Sequence, residues 1–66
     1  MMPTKDQITR LGIYLGEVNM KQIGNVTFYQ YKGGVYGFNK ENVYSASQFG
    51  EYKIHRSNLE YVIEFV

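Results

Sequence analysis

Residues suited to nucleophilic and acid–base chemistry lie close together near the carboxyl end of the chain. They are His55, Ser57 and Glu60, the residue types of a hydrolase triad. A serine nucleophile needs a base within hydrogen-bond reach and donors for the oxyanion. Ser57 lacks the flanking glycines of a nucleophile elbow, and the local pattern places it in a turn. We therefore predict a solvent-exposed His55–Glu60 pair rather than a catalytic site.

Metal ligands and paired carboxylates are scarce and scattered. The chain has one His, no Cys and a single Asp, Asp6, whereas a metal site needs several ligands that converge on one point. A carboxylate pair for acid–base work would have to come from Glu51, Glu60 and Glu64. The predicted strands place these three on an open, charged face. We expect no metal, no cofactor and no enzymatic activity.

Aromatic side chains form the second pattern that suggests a function. The 66 residues include seven Tyr and four Phe. A predicted β-hairpin brings four of these rings to one sheet face, namely Tyr29, Tyr31, Tyr36 and Phe38. Such a cluster is typical of a protein core. It is also found where a sheet stacks nucleic-acid bases or binds another protein. The sequence leaves open which face of the sheet is buried.

Charge helps to rank these functions. The basic residues that would flank the aromatic face and meet phosphates are Lys32, Lys40, Lys53 and Arg56. Nucleic-acid affinity depends largely on many such cations on one face, and the net charge is only +1. Our leading hypothesis is therefore a non-catalytic module for protein–protein contacts, of the adaptor or inhibitor type. Binding of single-stranded DNA or RNA is the alternative.

Self-association is a further option within the leading hypothesis. The last predicted strand contains Ile63 and Phe65. If this strand lies at a sheet edge, its free backbone groups can pair with a second copy or with a partner strand. The protein would then be a homodimer.

One helix and a strand are predicted in the first third of the chain. Thr4 and Gln7 have the spacing of a capping box, which indicates a helix from about Thr4 to Leu11. Gly12 and Gly16 disfavour a longer helix. We predict a strand over 13–20, with these glycines at the junction and at a bend or bulge.

Two hairpins are predicted in the rest of the chain. A two-residue Gly33–Gly34 turn would place Tyr31 opposite Tyr36 and Tyr29 opposite Phe38. A Ser57–Asn58 turn would place Ile54 opposite Tyr61 and Tyr52 opposite Ile63. The competing interpretation of 57–66 is a helix, because Ser57 and Glu60 also have capping-box spacing. Residues 43–49 would add a weak or edge strand.

These elements predict a single domain over residues 1–66. Its class is mainly β or small α+β, with about five antiparallel strands in a bent sheet or small barrel and a short N-terminal helix. The chain has no Cys, no signal-peptide pattern and no apolar run of membrane-spanning length. We expect a cytoplasmic protein that does not enter the membrane.

Overall fold

The computed structural model describes residues 2–66, which form one helix α1, Lys5–Leu11, six strands and a 3-10 helix, Ala46–Phe49. The strands are β1 (Ile13–Met20), β2 (Gly24–Tyr31), β3 (Gly34–Asn39), β4 (Asn42–Ser45), β5 (Tyr52–Ser57) and β6 (Glu60–Phe65). Strands β1 to β4 make one antiparallel sheet in chain order, and β5 and β6 make a separate hairpin. The predicted mainly-β class is confirmed, and the strands do not close into a barrel. Across 2–66 no helix has the length and apolar character needed to cross a membrane.

The amino-terminal helix begins at the predicted capping box. The Gln7 backbone N–H donates to the Thr4 hydroxyl at 3.2 Å, and the Thr4 backbone N–H donates to Gln7 Oε1 at 3.0 Å. The helix ends at Gly12, where a Cβ atom would lie 2.5 Å from the Ile8 carbonyl oxygen. Glycine is therefore required for the chain to leave the helix and enter β1.

The predicted irregularity in β1 is a β-bulge. Tyr14 pairs with Tyr29 and Gly16 pairs with Phe28, so Leu15 is the extra residue. Gly16 has a φ of 102°, which favours glycine. The bulge turns Leu15 into the core, where it is fully buried.

The β2–β3 hairpin forms as predicted, but its register differs by two residues. The turn residues are Lys32 and Gly33, both with positive φ (48° and 80°), as a type I′ turn requires. The predicted pairs are therefore wrong, and the observed ones include Tyr31 with Gly34, Tyr29 with Tyr36, and Thr27 with Phe38. Because side chains alternate with a period of two, this shift leaves each residue on its predicted face.

Packing around Phe28 explains this register. Phe28 lies opposite Gly37 and is fully buried. A Cβ atom on Gly37 would lie 2.7 Å from the Phe28 ring and 2.6 Å from Val26 Cγ1, so only glycine leaves room for the ring. In the predicted register the Phe28 ring would instead lie beside Asn39. The observed register avoids placing a polar side chain next to a buried ring.

The carboxyl-terminal segment is a strand hairpin rather than a helix. Its turn residues are Asn58, with φ 55°, and Leu59. The predicted pairs are again wrong by two residues, and the observed ones include Ile54 with Ile63, Tyr52 with Phe65, and Arg56 with Tyr61. Residues 43–49 form the short edge strand β4 only as far as Ser45, and the 3-10 helix follows.

The core lies between one face of the four-stranded sheet and the β5–β6 hairpin. Its buried members are Leu15, Val26, Phe28, Val35, Ala46 and Ile63. Partly buried rings of the hairpin and the 3-10 helix pack against them, namely Phe49, Tyr52, Tyr61 and Phe65. The face that carries Val26 and Phe28 is therefore the buried one, and the predicted aromatic face is its opposite.

Helix α1 lies over the aromatic face. Ile8 of the helix and Tyr31 of β2 are buried, and both lie outside the core cluster. The Lys5 ammonium is 5.3 Å from the centre of the Phe38 ring, and a Cβ on Gly12 would touch Tyr29 Cβ. The sheet thus has the hairpin on one side and the helix on the other.

We expect Gly37→Ala to destabilise the protein by roughly 1–3 kcal/mol, because the added methyl group overlaps Val26 and Phe28. Urea unfolding monitored by circular dichroism measures this change. In a Phe28→Leu background, Gly37→Ala should lower the free energy of unfolding by a smaller amount, because the leucine side chain leaves more space for the added methyl group. An equal cost in both backgrounds would show that the Phe28 ring does not set the pairing.

Candidate functional site

Of the three residues with the types of a hydrolase triad, His55 forms an exposed surface pair, and its partner is Glu64. His55 Nε2 lies 2.7 Å from Glu64 Oε1, and the two side chains are 53% and 67% exposed. The predicted partner Glu60 is wrong, because Glu60 lies opposite Ser57 at the end of the hairpin. Nothing encloses the imidazole, so the pair has the geometry of a solvated surface contact.

The acidic residues do not form a ligand cluster. Glu64 lies opposite Lys53, and Glu60 lies at the other end of β6. Throughout residues 2–66, no group of three or more His, Asp or Glu side chains converges on a point where a metal ion would fit. The carboxylates are therefore charged surface groups in this structure.

The aromatic face is a set of ring contacts shared by three strands. The Tyr14 ring meets the Tyr29 ring edge-on at 5.5 Å, and Tyr29 stacks on Phe38 at 5.8 Å with an interplanar angle of 20°. Lys5 lies over the Phe38 ring. Neighbouring side chains thus lie against the Tyr29 and Phe38 rings, whereas Tyr14 is 54% exposed. Sequence reasoning missed Tyr14, because its place depends on the pairing of β1 with β2.

The other two predicted aromatic residues lie toward the β2–β3 turn. Tyr31 is 8% exposed, and Lys32 lies 5.4 Å from its ring centre. The Tyr36 ring lies against Gly34, where a Cβ atom would be 2.8 Å from the Tyr36 hydroxyl. Neither ring stands free on an open face.

The predicted basic residues do not form one group along the aromatic face. Lys32 and Lys40 lie in the turns at opposite ends of β3, about 20 Å apart for a strand of this length. Lys53 and Arg56 belong to the β5–β6 hairpin, on the other side of the sheet. Of the four predicted cations, Lys32 therefore lies against a ring of the aromatic face, whereas Lys53 and Arg56 lie on a different part of the fold.

The two residues proposed for a self-association edge belong to the core. Ile63 is 3% exposed, and the Phe65 ring is 5.2 Å from the Phe28 ring. Their side chains stabilise the fold. Strand β6 pairs with β5 and lies against β1 on its other side.

An apolar cleft of about 320 Å³ lies where β1 and the start of β6 meet. It is lined by Ile13, Tyr14, Gly16, Leu59, Glu60, Tyr61 and Val62. Four of these are large apolar residues that are exposed: Leu59 to 93%, Tyr14 to 54%, Ile13 to 46% and Val62 to 44%. Gly16 contributes only backbone atoms, so the cleft reaches the main chain of β1. Clustered apolar surface of this kind marks interaction sites.

Local structure explains why these apolar side chains are exposed. Leu59 is the second residue of the β5–β6 turn and is therefore outside the paired part of the hairpin. Val62 lies on the outer face of the hairpin opposite His55, among charged residues. Ile13 and Tyr14 precede the bulge, which directs the next residue, Leu15, into the core. Sequence reasoning missed the cleft because its residues come from opposite ends of the chain.

We expect His55→Ala to change the free energy of unfolding by no more than about 0.5 kcal/mol, because exposed ion pairs contribute little. Urea unfolding at pH 6 and pH 8 provides the measurement. A loss several times larger at either pH would contradict the description of this pair as a surface contact.

Adjacent residues of β6 should respond in opposite ways to the same substitution. Ile63→Lys should unfold the chain, because it places a charge in the core, whereas Val62→Lys should leave the fold intact on the outer face. The dispersion of backbone amide NMR signals distinguishes the two variants. A folded Ile63→Lys protein would show that the hairpin does not cover the sheet.

Comparison of the chain with protein-family models, curated proteins and solved structures finds no match. The geometry of the described residues is therefore the basis on which a function can be assigned. Among their features, the cleft between β1 and β6 combines concave shape, exposed apolar side chains and accessible backbone.

Proposed function

We propose that this protein is a non-catalytic binding module that recognises another polypeptide through the cleft between β1 and β6. One observation carries the proposal. Exposed apolar side chains from the start of β1 and from the β5–β6 turn converge on one concave surface. A chain this small has few apolar residues to spare from its core, so an exposed cluster of them indicates a surface that a partner covers.

Leu59 makes the largest contribution expected at this surface. Full burial of a leucine side chain stabilises by about 1.5–3 kcal/mol, and Leu59 is almost wholly exposed in the free protein. Tyr14 adds an aromatic ring whose hydroxyl tolerates a half-wet position, as at many interface hot spots. A partner that covers both side chains removes most of the apolar surface around the cleft from water.

The backbone of β1 supports recognition of an extended segment. Within residues 2–66, β1 is hydrogen-bonded to β2 alone and β6 lies against its other side, so a ligand reaches the β1 backbone through the cleft that separates the two strands. At Gly16 the cleft wall is main chain, where backbone groups are within reach of a ligand. At such a position, backbone hydrogen bonds to an extended ligand provide affinity, and side-chain pockets provide specificity.

Selection of short peptides from a random display library tests this proposal. Peptides that bind should shift the backbone amide NMR signals of 13–16 and 59–62. Leu59→Ser should weaken binding at least tenfold, about 1.4 kcal/mol. Leu11→Ser is the matched control, since Leu11 is 70% exposed but lies outside the cleft lining. It should leave the affinity unchanged.

Two outcomes would contradict the proposal. Enriched peptides whose binding ignores Leu59→Ser would place recognition elsewhere on the protein. Salt-sensitive shifts of 27–40 on addition of single-stranded RNA or DNA would instead support nucleic-acid binding at the aromatic face.

A further inference from the structure

The apolar cleft contains one carboxylate that lacks a counter-charge. Among the described residues, Glu60 is the single charged side chain in the cleft lining. It is exposed, and none of the ion pairs found within 2–66 includes it. A ligand that covered the cleft without a cation would remove this carboxylate from water, which costs free energy.

The arginine of the hairpin does not pair with this carboxylate. Arg56 lies opposite Tyr61 in the register and stacks on its ring, with 5.6 Å between the guanidinium carbon and the ring centre. Alternation along the strands places Arg56 on the inner face of the hairpin and Glu60 on the outer face. The cleft therefore has a net negative charge of its own.

This charge disfavours a second copy of the chain as the occupant. A two-fold dimer brings the same patch against itself, so each Glu60 would face an apolar cleft that holds another Glu60. Like charges in such an interface repel and suppress pairing. The observations thus favour a different polypeptide with the opposite charge.

We infer that the cleft binds an extended segment of another protein in which a Lys or Arg lies two positions from an apolar residue. Glu60 and Val62 lie two residues apart on one face of β6, about 7 Å along the strand. In an extended ligand, side chains two positions apart have the same spacing and direction. The cation meets the Glu60 carboxylate, and the apolar side chain contacts Val62 and Leu59. This inference rests on the proposed function.

Three capped heptapeptides test the inference. Each has threonine at odd positions and valine at positions two and six, and the central residue is lysine, glutamine or glutamate. Titrations followed by the amide NMR signals of 13–16 and 59–62 should give at least fivefold tighter binding of the lysine peptide than of the glutamate peptide. The measurement is made at 150 mM salt, where charges more than about 8 Å apart are largely screened.

Variants of the protein test whether the Glu60 carboxylate causes the preference for the lysine peptide. Glu60→Gln should remove the preference, and Glu60→Lys should reverse it. Glu64→Lys is the matched control, because Glu64 lies on the same face of β6 but about 13 Å further along the strand, outside the cleft lining. It should leave the preference for the lysine peptide intact.

The outcomes separate this inference from the proposed function. Equal affinity for all three peptides, or no binding of any, overturns the inference. Display-selected peptides that depend on Leu59 would still support the proposed function in that case. A dimer seen by sedimentation that Leu59→Ser dissociates would overturn the inference in favour of a second copy.

Discussion

The contact between the Phe28 ring and Gly37 is the constraint on which the rest of the fold depends. The ring fills the space that a side chain on Gly37 would occupy, and this fixes the pairing of β2 with β3. The same ring meets Phe49 at 5.8 Å and Phe65 at 5.2 Å. One buried side chain therefore connects the four-stranded sheet, the 3-10 helix and the hairpin.

This arrangement determines which surfaces remain for function. The hairpin covers the Phe28 face of the sheet, and helix α1 lies over the aromatic face, where Lys5 contacts the Phe38 ring. Because β6 packs against β1, the β5–β6 turn lies beside the start of β1. The cleft thus forms where the four-stranded sheet packs against the β5–β6 hairpin. Its apolar lining consists of side chains that neither the sheet nor the hairpin buries.

The proposed function follows from the distribution of apolar residues. A domain of this size buries only about 60% of its unfolded surface, so its margin of stability is small. Large apolar side chains on the surface contribute nothing to that margin, yet four of them surround one cleft. In the proposed function, the single carboxylate within this apolar lining would provide selectivity, because it would favour partners that bring a cation over those that do not.

The sequence alone determined most of the local elements and the side chains that share a face of each strand, but it left 57–66 open between a strand and a helix. Three features depend only on residues close together in the chain, so residue propensity and side-chain periodicity predict them. They are the Thr4–Gln7 cap, the bulge at Gly16 and the alternation along 52–65. The tertiary structure decided the registers, the buried face and the site. A register shift of two residues leaves the alternation of side chains unchanged, so the sequence pattern could not exclude the wrong register. The packing of Phe28 on Gly37 excludes it in the β2–β3 hairpin. The cleft needed Tyr14 and Leu59 side by side, and only the packing of β6 on β1 brings these distant residues together.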